Sequence, residues 1–343
     1  MRILLLLLFI HSIGITSAQR ILHFTKTSGY DHNTRTVSFS MFQSIAIELG
    51  ATVDDDATGA TFTSANELFQ YDVVVFSNTS GADLLDPQQR ANFEAYIANG
   101  GNVLGIHAAS DTYRHSTANG NNTGTWDYYA ELIGASVQES PNHVNGTPEY
   151  AMQHIGLHAS TANLPDPWVK NEEYYYWEGG YYGPDNSVVL QVEATVGPNG
   201  QVNSYDAARP MSWYRELPNG SKVFYTALGH AGSNFTDDVN FRTHITDALE
   251  WMLDGTVGIA LPRASENILV YPNPTTNVLA VHVDEHTVGR LLQLIDASGQ
   301  VVVAERLRGR MQQVDVSAVA PGSYVIRIGS ASQGRVILVG APK

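Results

Sequence analysis

Four short stretches decide the fold. They are Tyr71-Asp72-Val73-Val74-Val75-Phe76, Asp86-Pro87-Gln88-Gln89, Gly100-Gly101 and Asn102-Val103-Leu104-Gly105-Ile106-His107. The first run is continuously apolar, as a strand buried on both faces should be. Asp86 reads as a helix N-cap, with Pro87 at the first helical position and Gln89 at the third. The glycine pair stops that helix, and a second apolar run follows at once. Strand, helix and strand in this order predict a parallel sheet with helices on both faces.

The pattern extends in both directions. Arg20-Ile21-Leu22-His23-Phe24-Thr25 reads as the first strand, followed by a glycine-containing loop from Lys26 to Asn33. Val37, Met41, Ile45 and Leu49 recur every four residues, the spacing of an amphipathic helix. Gly50 stands where a C′ glycine ends such a helix. Ala51-Thr52-Val53 is a weak strand. Downstream, residues 126–133 read as a short helix, and 188–194, 211–217 and 222–228 as strands. Pro218-Asn219-Gly220 marks a hairpin turn between the last two. Residues 237–253 form a closing helix that Asp254-Gly255 ends. Residues 19–257 are therefore expected to be one α/β, flavodoxin-like unit.

The chain has 343 residues, 43% of them apolar and 15% charged, with 30 Gly, 14 Pro and no Cys. That composition is globular. The lack of cysteine excludes disulfides, thiolate nucleophiles, iron–sulfur clusters and cysteine-ligated zinc. The formal charge of -15 argues against nucleic acid or an anionic membrane as the main partner. The charge is uneven: residues 20–263 hold 11 Lys+Arg against 28 Asp+Glu, and residues 264–343 hold 7 against 6. Such a break marks two units.

Ligands of open α/β sheets bind beyond the carboxyl ends of the strands. His32 lies in the loop after the first strand, His107 directly follows Ile106, and His230 directly follows the run ending Leu228-Gly229. Three histidines from distant parts of the chain thus map to one sheet edge. If a helix starts at His107, Asp111 shares its face. The pair then serves as a carboxylate-oriented base or as two ligands of one metal. His115, His143, His154 and His158 lack this logic and read as structural or rim residues. His23 and His244 read as packed.

Residues 20–257 resemble the trehalose-utilisation (ThuA-like) family, a branch of the class I glutamine amidotransferase-like fold. The resemblance rests on Thr27-Ser28-Gly29-Tyr30-Asp31-His32, on Gly105-Ile106-His107-Ala108-Ala109-Ser110-Asp111, and on residues 222–230 ending Leu228-Gly229-His230. Arg209-Pro210-Met211-Ser212-Trp213 adds to it, with Trp126 and Tyr129 upstream, as does His158 with Leu164-Pro165 and Glu172-Glu173-Tyr174. Amidotransferases place a cysteine on a strained, exposed strand-to-helix turn. Here that turn carries His107, so cysteine amidotransferase chemistry is excluded, and an imidazole serves there as base or ligand.

The resemblance implies sugar metabolism, of disaccharides and their keto derivatives. The aromatic stretches agree, since Tyr and Trp offer flat faces to sugar C–H groups. The expected carbohydrate contacts are Trp126, Tyr129, Glu173, Trp213 and Arg209. The expected catalytic set is His107, Asp111, His230 and His32. The chemistry is proton transfer beside a sugar carbonyl (isomerase or lyase) or hydrolysis. The cofactor left open is a divalent metal on His32, His107 and His230, for which such ligands do not choose among Zn, Mn, Fe and Ni. The alternatives are a non-catalytic cell-surface glycan-binding protein and a metal-dependent glycoside hydrolase.

Residues 258–266 read as a linker. Residues 267–343 hold short β-like runs separated by Pro272-Asn273-Pro274, Ala297-Ser298-Gly299 and Pro321-Gly322-Ser323, the pattern of a small Ig-like β-sandwich. This tail resembles the type A C-terminal sorting domain of the type IX secretion system of Bacteroidota. The matching runs are Val270-Tyr271-Pro272-Asn273-Pro274-Thr275, Leu294-Ile295-Asp296-Ala297-Ser298-Gly299, Asp315-Val316-Ser317 and residues 322–327. It implies outer-membrane export through that machinery, to the cell surface or the medium. At the front, Arg2, the run from Ile3 to Ile10 and Thr16-Ser17-Ala18 read as a signal peptide, residues 1–18. Its apolar run is too short to span a bilayer, so the mature protein is expected to lack a membrane-integral segment.

Overall fold

In the computed structural model, the residues described are 18–114, 125–179, 182–253, 269–283, 288–296, 300–328 and 331–339. The signal peptide as far as residue 17, the Asp254-Gly255 stop, the 258–266 linker and His115 lie outside them.

The elements of the first unit are β1 (Arg20–Phe24), α1 (Arg35–Leu49), β2 (Thr52–Asp56), α2 (Ala65–Leu68), β3 (Val73–Ser77), α3 (Pro87–Ala98), β4 (Asn102–Ile106), α4 (Asp127–Ile133) and β5 (Glu149–His154). They continue with α5 (Ala159–Ala162), β6 (Trp168–Asn171), β7 (Ser187–Val192), β8 (Arg209–Glu216), β9 (Lys222–Thr226), α6 (Gly232–Thr236) and α7 (Val239–Leu253). The capping box of α3 is present: the Asp86 side chain accepts from the Gln89 amide, and the Gln89 side chain accepts from the Asp86 amide. Gly50 closes α1 at φ 68°, a conformation glycine adopts without a Cβ penalty.

One nine-stranded sheet runs in the order β2-β1-β3-β4-β9-β8-β7-β5-β6. The first five strands are parallel, with Val73 opposite Asn102 and Leu104 opposite Phe224. Every residue of β3 is buried, and fully burying a Val or Phe side chain contributes about 1.5–3 kcal/mol. Helices α1, α6 and α7 contact one another, and α2 contacts α3. The remaining four strands run antiparallel, so the sheet is mixed rather than parallel throughout. The cause is local: the turn after Leu217, with Gly220 at φ 89°, folds β8 back beside β9.

The second unit has two antiparallel sheets. One is β10 (Leu269–Tyr271), β11 (Val278–His282) and β14 (Met311–Asp315), in the order β10-β11-β14. The other is β13 (Val301–Arg306), β12 (Leu291–Ile295), β15 (Gly322–Ile328) and β16 (Ala331–Val339), in that spatial order. Leu279, Val281, Leu292, Leu294, Val314 and Ile326 are buried in one apolar cluster, as in a sandwich. Among the described residues, no helix is long and apolar enough to cross a membrane.

Candidate functional site

The parallel strands deliver three imidazoles to their carboxyl edge. The loop after β1 carries His32. It is pinned to the loop after β3, where the amides of Ser28 and Gly29 both donate to the Ser80 carbonyl. The approach is so close that a Cβ on Gly81 (φ +98°) would lie 2.4 Å from the Gly29 nitrogen. His107 follows β4 at φ 47°, a left-handed conformation costing of order 1–3 kcal/mol outside glycine. The turn is strained as expected, but His107 is fully buried rather than exposed. Gly229, at φ +111°, turns the chain after β9 so that His230 points back; a Cβ there would meet Ile106 and Phe241.

The three rings stand nearly perpendicular. His32 lies 4.8 Å from His107 and 5.1 Å from His230 between centroids, both at 89°, and His107 lies 5.2 Å from His230 at 75°. Glu173 joins them from the segment after β6. Its Oε2 is 3.2 Å from His107 Nε2 and 3.3 Å from His230 Nδ1, and those two nitrogens are 3.3 Å apart. One donor atom from each of His32, His107, Glu173 and His230 lies within 4.8 Å of the other three. The hollow opens over His230 and His143, whose side chains are 25% and 28% exposed.

Outer contacts fix these side chains. His107 Nδ1 lies 2.7 Å from the Ala227 carbonyl. It must donate there, which leaves Nε2 to face the hollow. The Tyr175 hydroxyl lies 2.9 Å from that Nε2, and its ring stacks on His107 at 19°. His143 Nε2 reaches the other Glu173 oxygen at 3.2 Å. Buried Glu172 accepts from the amides of Gly229 and Glu173 and from the Asn234 side chain.

Charge is partitioned sharply. Burial, reinforced by His107 and His230, pulls the His32 imidazole down to about 3, so it is neutral near pH 7. Burial alone would raise the Glu173 carboxyl. Hydrogen bonds and charge from His107 and His230 outweigh it and hold the group ionised, well below the usual range. The same contact with Glu173 raises His230. Burial raises Asp111 against the opposing pull of Ser80 and Arg114.

Some expected site residues play other parts than their spacing implied. The segment from His107 to Asp111 is a 3-10 helix. At about three residues per turn, positions four apart point in different directions. Asp111 therefore does not orient His107: it accepts from Ser80 Oγ at 2.7 Å and pairs with Arg114 at 3.2 Å. Trp126, Tyr129 and Trp213 are core residues rather than pocket lining. Trp126 donates to Glu94, Trp213 donates to the Ile133 carbonyl, and Tyr129 is wholly enclosed. Arg209 is buried, with its Nε on the Tyr175 carbonyl at 2.7 Å and Nη1 on Thr195 Oγ1 at 2.9 Å. Flat apolar rings at these positions are consumed by packing.

His143, read as structural or rim, stands at the rim of the hollow in contact with Glu173. Other site features were not legible in advance: Tyr175 and Glu172 also belong to the site. The sequence signal for the last two was the run Glu172–Trp177, a dense mix of acid and aromatic. His23 and His244 are packed, as expected.

An α/β unit with this sheet order and a histidine on the strained turn after β4 defines the class. The trehalose-utilisation family (ThuA) matches residues 20–252, and the secretion system C-terminal sorting domain matches residues 269–338. The chain belongs to the ThuA family and carries a type IX sorting tail, which marks it for export to the cell surface or the medium. It is similar to a solved putative ThuA-like protein of Bacteroides uniformis, at 19% identity and TM-score 0.55, over 72% of this chain and 97% of that one. It is likewise similar to one of Parabacteroides merdae, at 20% identity and TM-score 0.52, over 72% and 94%. These likenesses establish the fold. No curated protein matches the chain.

Proposed function

We propose that this is an exported sugar-active enzyme that moves a proton beside the carbonyl of a keto-disaccharide or related keto-sugar. The observation that carries the reading is the convergence of His32, His107, His230 and Glu173 in one partly open hollow at the carboxyl edge of the sheet. A site used only for capture would not require a strained, fully buried imidazole at its floor. The family's association with trehalose utilisation supports the substrate class. Tyr30, 68% exposed and edge-on to His32 at 4.8 Å, offers a ring face at the rim.

Roles follow from charge and access. His230, raised by Glu173 and reachable from the hollow, donates to the carbonyl oxygen and polarises it. Asp111, raised by burial and still 24% exposed at its side chain, takes the proton from the adjacent carbon. A base whose affinity for protons is raised accepts them more readily than Glu173, whose affinity is lowered. The C–H electron pair passes to the carbonyl carbon–oxygen unit as an enolate. Return of the proton to the neighbouring carbon gives isomerisation. Expulsion of a glycosidic oxygen β to the carbonyl, which then takes up a proton, gives a lyase product.

The test is a screen of disaccharides and their keto derivatives with product NMR in deuterated water. Deuterium at the carbon next to the carbonyl, lost in His107→Ala, is the expected result. Turnover retained in that variant overturns the assignment.

A further inference from the structure

We propose that His32, His107, His230 and Glu173 form a seat for one divalent first-row transition ion. The proposal deepens the reading above and rests on it only for the claim that substrate oxygens meet the ion. The seat itself rests on distances. Zn–N and Zn–O bonds of about 2.0–2.2 Å, at angles between octahedral and tetrahedral, put neighbouring ligand atoms about 2.9–3.5 Å apart. Here the three contacts among His107 Nε2, His230 Nδ1 and Glu173 Oε2 are 3.2, 3.3 and 3.3 Å. They outline one triangular face of a coordination shell.

The donor chemistry points the same way. Two ring nitrogens and one carboxylate oxygen face one another here, and a single cation among them would be shared by all three. His32 Nδ1 is buried and finds no hydrogen-bond partner among the described residues, a costly condition that ligation ends. The mutually steep ring planes let three imidazoles approach one point without clashing. The Ala227 carbonyl on His107 Nδ1 and His143 on the far Glu173 oxygen are outer contacts of the kind that orient metal ligands. Nitrogen-rich sets with one carboxylate suit Zn, Mn, Fe and Ni rather than Ca or Mg. Four protein donors leave the open side, over His230 and His143, for two neighbouring oxygens of a sugar.

The experiment uses the full chain, stripped with chelator and titrated with Zn(II), Mn(II), Ni(II) and Co(II). Binding is read by calorimetry, by elemental analysis after desalting and by Co(II) d–d absorption. One equivalent per chain is expected for at least one ion, with a rise in melting temperature. Glu173→Gln keeps shape and hydrogen bonding but removes the anionic donor, and His230→Ala removes a rim ligand. Each should weaken binding by more than the roughly 10–100-fold that outer-contact changes cause. Asp111→Asn should leave stoichiometry at one. Wild type that stays folded yet takes up less than a tenth of an equivalent of every ion overturns the seat, as does unchanged affinity in both ligand variants. Metal uptake without sugar turnover upholds the seat and counts against the sugar reading. Full turnover by metal-free protein upholds the sugar reading and overturns the claim that substrate oxygens meet the ion.

Discussion

Glu172 holds the backbone that carries His230. Its Oε1 accepts the His230 amide at 3.3 Å, and its Oε2 accepts the Gly229 amide at 2.9 Å. The next residue, Glu173, supplies the cluster's carboxylate. A single buried dipeptide thus fixes one donor directly and a second through the main chain of another loop. Lys170 Nζ, 3.5 Å from Glu172 and 2.6 Å from Asp238, balances its charge.

Replacing Glu172 with Gln puts an amide N–H against a backbone N–H and leaves Lys170 short of a counter-charge. A stability loss of about 1–3 kcal/mol is expected, together with a 10–100-fold loss of metal affinity or turnover. Chemical denaturation and calorimetry measure the two separately. A purely structural role would lower stability while leaving the affinity of the folded fraction intact. Glu172→Asp should restore part of each.

Arg209 is predicted to act as a brace for the Tyr174–Tyr176 backbone. Burial pulls its guanidinium down to about 10, so it remains charged at neutral pH while lying over the Tyr176 ring at 4.5 Å. Arg209→Met strips charged donors from the Tyr175 carbonyl and Thr195, at about 1.5–3 kcal/mol for each such hydrogen bond. Urea unfolding should show a loss of about 3 kcal/mol or more. Sugar KM in the folded fraction should hold steady; a rise in KM with stability unchanged would return Arg209 to the pocket.

What could be read from the sequence was local or periodic. The α3 capping box, the α1 repeat and the Pro218–Gly220 turn each declare themselves within a few residues, and the structure contains all three. His32, His107 and His230 were legible because each follows a strand of the parallel half. The rest of the site depends on chain reversals far from that half. Val137 bridges Trp177 and His143 bridges Tyr175, pairings that bring Tyr175 and His143 over the sheet edge beside Glu173 with no short-range pattern to announce them. Asp111 misled because spacing four implies a shared face only in an α-helix. The aromatics misled because composition does not encode direction: Tyr174, Tyr175 and Tyr176 are all buried, on both sides of their segment.

Acid should destabilise the first unit through His244. Its Nδ1 donates to the Ser160 carbonyl and its Nε2 lies 3.1 Å from Ser212 Oγ, and full burial pulls the imidazole from 6.5 down to about 4. Between those values the unfolded chain holds the proton and the folded chain does not. Stability therefore falls as pH drops from about 6.5 to about 4, by roughly 3 kcal/mol if His244 acted alone. Urea titrations across this range should show the slope, and His244→Gln should flatten it. An equally steep slope in the variant would assign the effect to other groups.

The proton-transfer role of Asp111 makes a sharper demand. Arg114, 3.2 Å away, and the Ser80 hydroxyl, 2.7 Å away, both pull its carboxyl down against burial. A base must be ionised to act, so the acid limb of kcat/KM follows this group. Arg114→Ala removes one opposing pull and lets burial raise the carboxyl further, moving the limb to higher pH. The pair is partly exposed, and such pairs contribute about 0.2–1 kcal/mol, or up to about 0.7 pH unit. Arg114→Lys should restore most of the shift, because the interaction is one of charge. Added salt should narrow the gap between wild type and Arg114→Ala, since partly exposed charges are screened. A limb that stays in place in Arg114→Ala, or moves to lower pH, removes Asp111 from the mechanism and leaves His230 as the proton carrier at the mouth of the hollow.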